Sequence, residues 1–135
     1  MKTRIPFEFD DAGSPDSERA NCTVCSLSIA TRISYGTAYR HLQKYGRKPN
    51  EGCLPSITNA AYRNSVFGGY TIKMIYGPGR RKSRTLNWFV RNNLLPDRCI
   101  VRISGHVFPV IHGVIRGFTH PGVAIKVRTI WEVSR

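Results

Sequence analysis

Cys22 stands in Asn21-Cys22-Thr23-Val24-Cys25-Ser26-Leu27, a stretch that reads as the first turn of a helix. A thiol at a helix N-terminus is well placed to become a thiolate, because the helix dipole and the unpaired N–H groups of that turn favour negative charge. Far along the chain, Ser104-Gly105-His106-Val107-Phe108-Pro109-Val110-Ile111 puts His106 at the mouth of a strong β-run. An imidazole held on a distant strand can take the proton of such a thiol. No other pair of residues in the chain suggests covalent chemistry.

The elements that must position this pair follow from the pattern. Asn21 suits the N-cap of a helix over Cys22 to Arg32, with Val24, Leu27, Ala30 and Thr31 at helical spacing. Ser34 caps a second helix whose apolar stripe is Tyr35, Ala38, Tyr39, Leu42 and Tyr45, and Gly46 ends it. That stripe reads as packing. Pro55 suits the first turn of a third helix, with Ile57, Ala60 and Ala61 inward. Gly68-Gly69 leads into a strand from Tyr70 to Tyr76, and Thr85 caps a short helix carrying Leu86, Phe89 and Val90.

Beyond Pro96-Asp97 the character is wholly β. Arg98 to Ser104 alternates, with Cys99, Val101 and Ile103 on one side and Ile100 and Arg102 on the other. His106 to Ile111 follows, then a hairpin turn at His112-Gly113, a return strand from Val114 to Phe118, and a last long strand from Val123 to Val133. Helices first and strands last predict an α+β fold, N-terminal helices packed on a C-terminal antiparallel sheet. Residues 1–20 read as an acidic extended segment and residues 21–135 as one domain.

Charge is the unusual bulk property: 21 Lys and Arg stand against 8 Asp and Glu, a net +13. The signs are segregated. Glu8, Asp10, Asp11, Asp16 and Glu18 precede Asn21, whereas Lys2, Arg4 and Arg19 are the only bases that do. A body so basic is expected to bind non-specific nucleic acid or an acidic protein. The cluster Arg80-Arg81-Lys82-Ser83-Arg84 is the first place to look for phosphate or acidic-partner contacts, through Arg80, Arg81, Lys82 and Arg84. An acidic strap over a basic body also suggests a cover for the site.

The four cysteines do not read as a metal site or a disulfide framework. Cys22 and Cys25 form a Cys-x-x-Cys, but Cys53 and Cys99 stand alone, without the second close pair of a zinc ribbon. A thioredoxin-like motif would want a strand before Cys22, where the chain is acidic and turn-rich. No metal or other cofactor is expected. No apolar run is long enough to span a bilayer and the N-terminus lacks a signal core, so the expected location is a host cytoplasm or a virion, with no membrane partner.

Several segments together resemble small papain-like proteins of tailed bacteriophages and prophages, related in pattern to bacteriocin-processing peptidases. Asp10-Asp11-Ala12-Gly13 resembles their entry segment, and Asn21-Cys22-Thr23-Val24 with Leu27-Ser28-Ile29-Ala30-Thr31 resembles their nucleophile helix. Gly46-Arg47-Lys48 resembles the turn after their second helix. Arg98 to His106 and Val110-Ile111-His112-Gly113-Val114-Ile115 resemble their histidine hairpin. The resemblance implies a papain-like cysteine peptidase fold and hydrolysis of a peptide or amide bond in a host or virion protein. It makes Cys22 the nucleophile, with its own N–H as first oxyanion donor, and His106 the base and later acid.

The chain departs from that pattern in two places. The family orients its histidine with an Asp or Asn on the following strand; after His106 this chain has neither, and Glu132 is its only acid. Folding the hairpin about His112-Gly113 brings Thr119 roughly opposite His106, so Thr119 is the candidate orienting group. The family's oxyanion glutamine falls at Asp16, leaving Ser17 or Asn21 as replacements. The alternative function is a non-catalytic basic protein on the same fold, binding nucleic acid or an acidic host protein.

Overall fold

The computed structural model describes residues 5–16, 18, 20–77, 79 and 83–135. In chain order the elements are β1 (Phe7–Phe9), α1 (Cys22–Thr31), α2 (Tyr35–Lys44), α3 (Pro55–Arg63), β2 (Val66–Phe67), β3 (Tyr70–Tyr76), β4 (Arg84–Thr85), α4 (Leu86–Arg91), β5 (Arg98–Ile103), β6 (His106–Ile111), β7 (Val114–Gly117), β8 (Lys126–Val127) and β9 (Thr129–Ser134). Seven strands form one sheet in the order β1-β7-β6-β5-β9-β3-β2, and β4 pairs with β8 in a small second sheet. The fold is α+β with a large mixed sheet.

Local chemistry sets most of these boundaries. Ser34 Oγ accepts the Thr37 N–H at 3.1 Å and Thr85 Oγ1 accepts the Trp88 N–H at 3.1 Å, so both hydroxyls cap helices as their sequence positions predict. Pro55 occupies the first turn of α3, where its missing N–H costs nothing. His112 (φ 50°) and Gly113 (φ 78°) both take the left-handed conformation that a tight hairpin of this hand demands.

The sheet is buried on both faces. One face holds Ile72, Ile100, Val107, Trp131 and Val133 against Val24, Leu27 and Ala30 of α1 and Leu42 and Tyr62 of the helices behind it. The other packs Cys99, Val101, Ile103, Phe108, Val110, Ile115 and Ile130 with Leu86 and Phe89 of α4. The alternation expected for β5 is therefore realised residue by residue. Trp131 and Tyr62 meet edge to face at 4.9 Å, and Tyr62 Oη donates to the Thr23 carbonyl at 2.8 Å. This contact pins the first turn of α1 to the centre of the core.

Two expectations need correction. The sheet is neither wholly antiparallel nor wholly C-terminal: β1 joins β7 in parallel (Phe7 beside Ile115), and β2 and β3 come from the middle of the chain. The long strand expected from Val123 to Val133 is broken. Its start contributes β8 to the small sheet, and β9 begins only at Thr129, because the Arg128 N–H leaves the strand path to donate to the Arg102 carbonyl at 2.8 Å.

Candidate active site

α1 is buried around nearly its whole circumference, so its two ends are what it offers to solvent. The Asn21 position begins the helix as expected, but its side chain does not cap. Asn21 Nδ2 donates instead to Tyr35 Oη at 3.2 Å, and no side chain accepts the first N–H groups. The first helical bond runs from the Cys25 N–H to the Asn21 carbonyl at 2.9 Å, so the N–H groups of Cys22, Thr23 and Val24 carry no intrahelical partner.

Those N–H groups open onto a cleft of about 500 Å³. Cys22 and Thr23 form its helical side, Gly52, Cys53, Pro55 and Thr58 a second side, and the β5–β6 turn with His106 the far side, completed by Arg102 and Arg128. The structure thus brings Cys22 and His106 to one cleft. It also explains how the thiol reaches β6. The β6–β7 ladder pairs only Val110 with Ile115 and Ile111 with Val114, so the outer edge of β6 at Val107 is uncovered. The backbone of Val107, one residue along from His106, lies near enough to Cys22 for its N–H to favour the thiolate.

No hydrogen bond joins Cys22 Sγ to the His106 ring. His106 shares a sheet face with its cross-strand neighbour Ile103, and its ring stacks on Phe108 at 5.8 Å and 28°. Burial pushes the Cys22 thiol up from the ordinary cysteine range. The N–H groups of Val107, Thr23 and Cys22 itself work against that rise, and neighbouring Cys53 adds to it. Burial pushes the imidazole of His106 down. In the resting state both groups are neutral near pH 7: a thiol that keeps its proton beside an imidazole free to accept one.

The other proposed site residues lie elsewhere. Thr119 is not brought opposite His106. The return strand ends at Gly117, after which Phe118 packs on Phe9, and His120 Nε2 donates to the Ile5 carbonyl (3.0 Å) against the Phe7 ring. The head of α1 takes the place on the β6 edge that a longer β7 would fill. Asn21 is buried and committed to Tyr35, outside the cleft lining. Ser17, Arg80, Arg81 and Lys82 lie outside the described residues. Arg84 is half-buried with its guanidinium over the Trp88 ring at 4.4 Å.

Cys25 faces away from the cleft, its Sγ donating to the Asp11 carbonyl at 3.6 Å, and burial raises its thiol to about 12. The lead-in contributes none of its described residues to the cleft lining. Its Glu18 carboxylate instead takes Arg47 Nη2 at 2.7 Å and the Asn50 N–H at 3.0 Å. Among the described residues no three His, Cys, Asp or Glu side chains gather as a metal site would require.

Three lining residues were not singled out by the sequence. Cys53 accepts the Thr23 hydroxyl at 3.3 Å, and Arg102 and Arg128 stand on the strand side. The signal for Arg102 was present: it shares the Ile100 side of β5, a cation on a core-facing register. No family model, curated protein or solved structure matches the chain, so its function must be argued from these residues.

Proposed function

We propose that the cleft is the active site of a cysteine hydrolase on a papain-like arrangement, cutting a peptide or amide bond through a Cys22–His106 dyad. The observation that carries this reading is that Cys22, at the head of α1, and His106, at the start of β6, line one cleft. His106 rests on the Ile103 face of the sheet and Cys22 packs on the other, so the pair requires the ring to leave Phe108 and swing round the open edge of β6 when substrate binds.

The chemistry is that of a neutral pair. The Cys22 proton passes to His106 as sulfur attacks the carbonyl carbon, and the negative oxygen faces the unpaired N–H groups at the head of α1. The C–N bond breaks as His106 returns the proton to the leaving nitrogen. Water, deprotonated by His106, then adds to the thioester; the C–S bond breaks, and the proton goes back to sulfur. By the resemblance, the substrate is a host or virion protein.

The test is site-resolved labelling at neutral pH with a peptidyl acyloxymethyl ketone, which alkylates hydrolase thiols through the same proton transfer. Cys22 should label, Cys53 should not, and His106→Ala should slow labelling by roughly tenfold or more. Labelling of Cys22 that ignores His106→Ala, or that only matches Cys53, overturns the reading. The stacking of the unpartnered His106 ring on Phe108 favours a second one, a non-catalytic protein whose basic cleft holds an acidic partner.

A further inference from the structure

Two cations on the cleft wall have no part in this chemistry. Arg102 lies on β5 opposite Val107, on the face turned toward α1, and Arg128 sits at the break before β9. The Arg128 N–H donates to the Arg102 carbonyl at 2.8 Å, which fixes the two backbones side by side. Among the described residues neither guanidinium forms an ion pair; the ion pairs there belong to Arg47 and Arg116. Arg102 Nη1 is buried and has no hydrogen-bond partner. No acid lines the cleft: Glu51 adjoins the lining residue Gly52 without joining it, and Glu132 lies beside Cys99.

A buried N–H of a cation left without an acceptor is costly, and a second cation beside it adds repulsion. Burial and the charge of Arg128 together make the Arg102 proton easier to remove. Two guanidinium groups brought together in this way match the two oxygens of one carboxylate. The rest of the wall is Ile103, Val107 and Pro55, apolar surface of the kind that peptide side chains cover, and the hollow holds a few such side chains rather than a duplex.

We infer that Arg102 and Arg128 form a carboxylate-binding subsite selecting an Asp or Glu side chain of a peptide seated beside Cys22. Calling that peptide a substrate rests on the hydrolase reading; its binding does not need the thiol.

The experiment uses the full chain carrying Cys22→Ala and follows fluorescence anisotropy of two labelled hexapeptides, alternating Glu-Ala and alternating Gln-Ala, at roughly 0.15 M salt. The Glu peptide should bind about tenfold tighter or better. Arg102→Gln with Arg128→Gln should erase that preference. Arg63→Gln with Lys73→Gln, an equal loss of charge at a different hollow, should keep it. Arg102→Lys, which retains charge but loses the fork, should fall between and shows that the effect is not one of folding. Equal binding of the two peptides overturns the inference, as does a preference that survives the double substitution. Displacement by oligothymidylate at lower concentrations than the free Glu peptide also overturns it, in favour of nucleic acid. A preference that persists where the ketone probe fails sinks the hydrolase reading alone; labelling without the preference sinks the subsite alone.

Discussion

The two ends of α1 both open onto arginine-lined hollows, and the arginines are treated in opposite ways. At the C-terminal end Arg98 Nη1 donates to the Ala30 carbonyl at 2.9 Å and lies over the Tyr70 ring at 5.1 Å, while Arg116 approaches Glu8 and Asp10 at 3.7 and 3.9 Å. Every cation there has a carbonyl, a ring or an acid to answer it, apart from exposed Arg32. At the N-terminal end, the guanidinium groups of Arg102 and Arg128 have none of these among the described residues. The first arrangement is what a chain does with cations that hold it together. The second leaves the interaction open, and an open interaction is what a ligand site requires.

The sharpest way to break this contrast is to remove partners from the matched cations and watch stability. Arg47 is almost wholly buried with Glu18 as its acid, so Glu18→Ala should cost about 3 kcal/mol in urea unfolding by taking the carboxylate away from a buried cation. Arg98→Ala should cost less, about 1–3 kcal/mol, for the lost bond to the end of α1. Arg102→Gln should cost under about 1 kcal/mol or even stabilise, since it removes unanswered charge. A large loss from Arg102→Gln would mean that the cleft arginine is structural and that the two ends of α1 are alike.

The smallest expected effect is the dependence of that stability on pH. The half-buried ring of His106 titrates below its ordinary 6.5, so its contribution is complete above 6.5 and is lost as pH falls through the lower folded value. Buried Cys99 is raised from 9.0 to about 12, so its contribution is complete below 9.0 and is lost as pH rises toward 12. A stability plateau should therefore span roughly 6.5 to 9, measured by the urea midpoint at each pH. His106→Asn should flatten the acid limb and leave the alkaline one. An acid limb unchanged by that substitution would mean that the ring is not held in the buried position on Phe108.

The parts of this molecule that are written locally were readable from the chain. Ser34 and Thr85 start helices through bonds to residues three positions away, Pro55 starts one through its fixed φ and missing N–H, and His112-Gly113 turns the hairpin by its own backbone preference. The alternation of β5 shows because a sheet buried on one face at Ile100 and on the other at Val101 needs it. What stayed hidden depends on distant partners. Phe7-Glu8-Phe9 becomes a strand only because β7 has a free edge, and Arg128 breaks an otherwise continuous β-run because a carbonyl on β5 takes its N–H. Within the site, Cys22 and His106 were legible by residue type and context. Thr119 was misplaced because the extrapolated ladder stops at Ile115–Val110, and no local signal marks where a ladder stops.

The parallel pairing of Phe7 with Ile115 has a further consequence for how the chain is made. During synthesis the segment that becomes β1 emerges before any of α1 to α4, yet the strand it must join appears only after all four. Until then the aromatic side chains of Phe7 and Phe9 have no sheet to lie on, and the sheet has no seat for Ile5. Closing so long a loop is slow relative to the hairpins of the C-terminal half. The acidic segment ahead of α1 is therefore translated well before the strand that fixes it in place, and is available to chaperones for that interval.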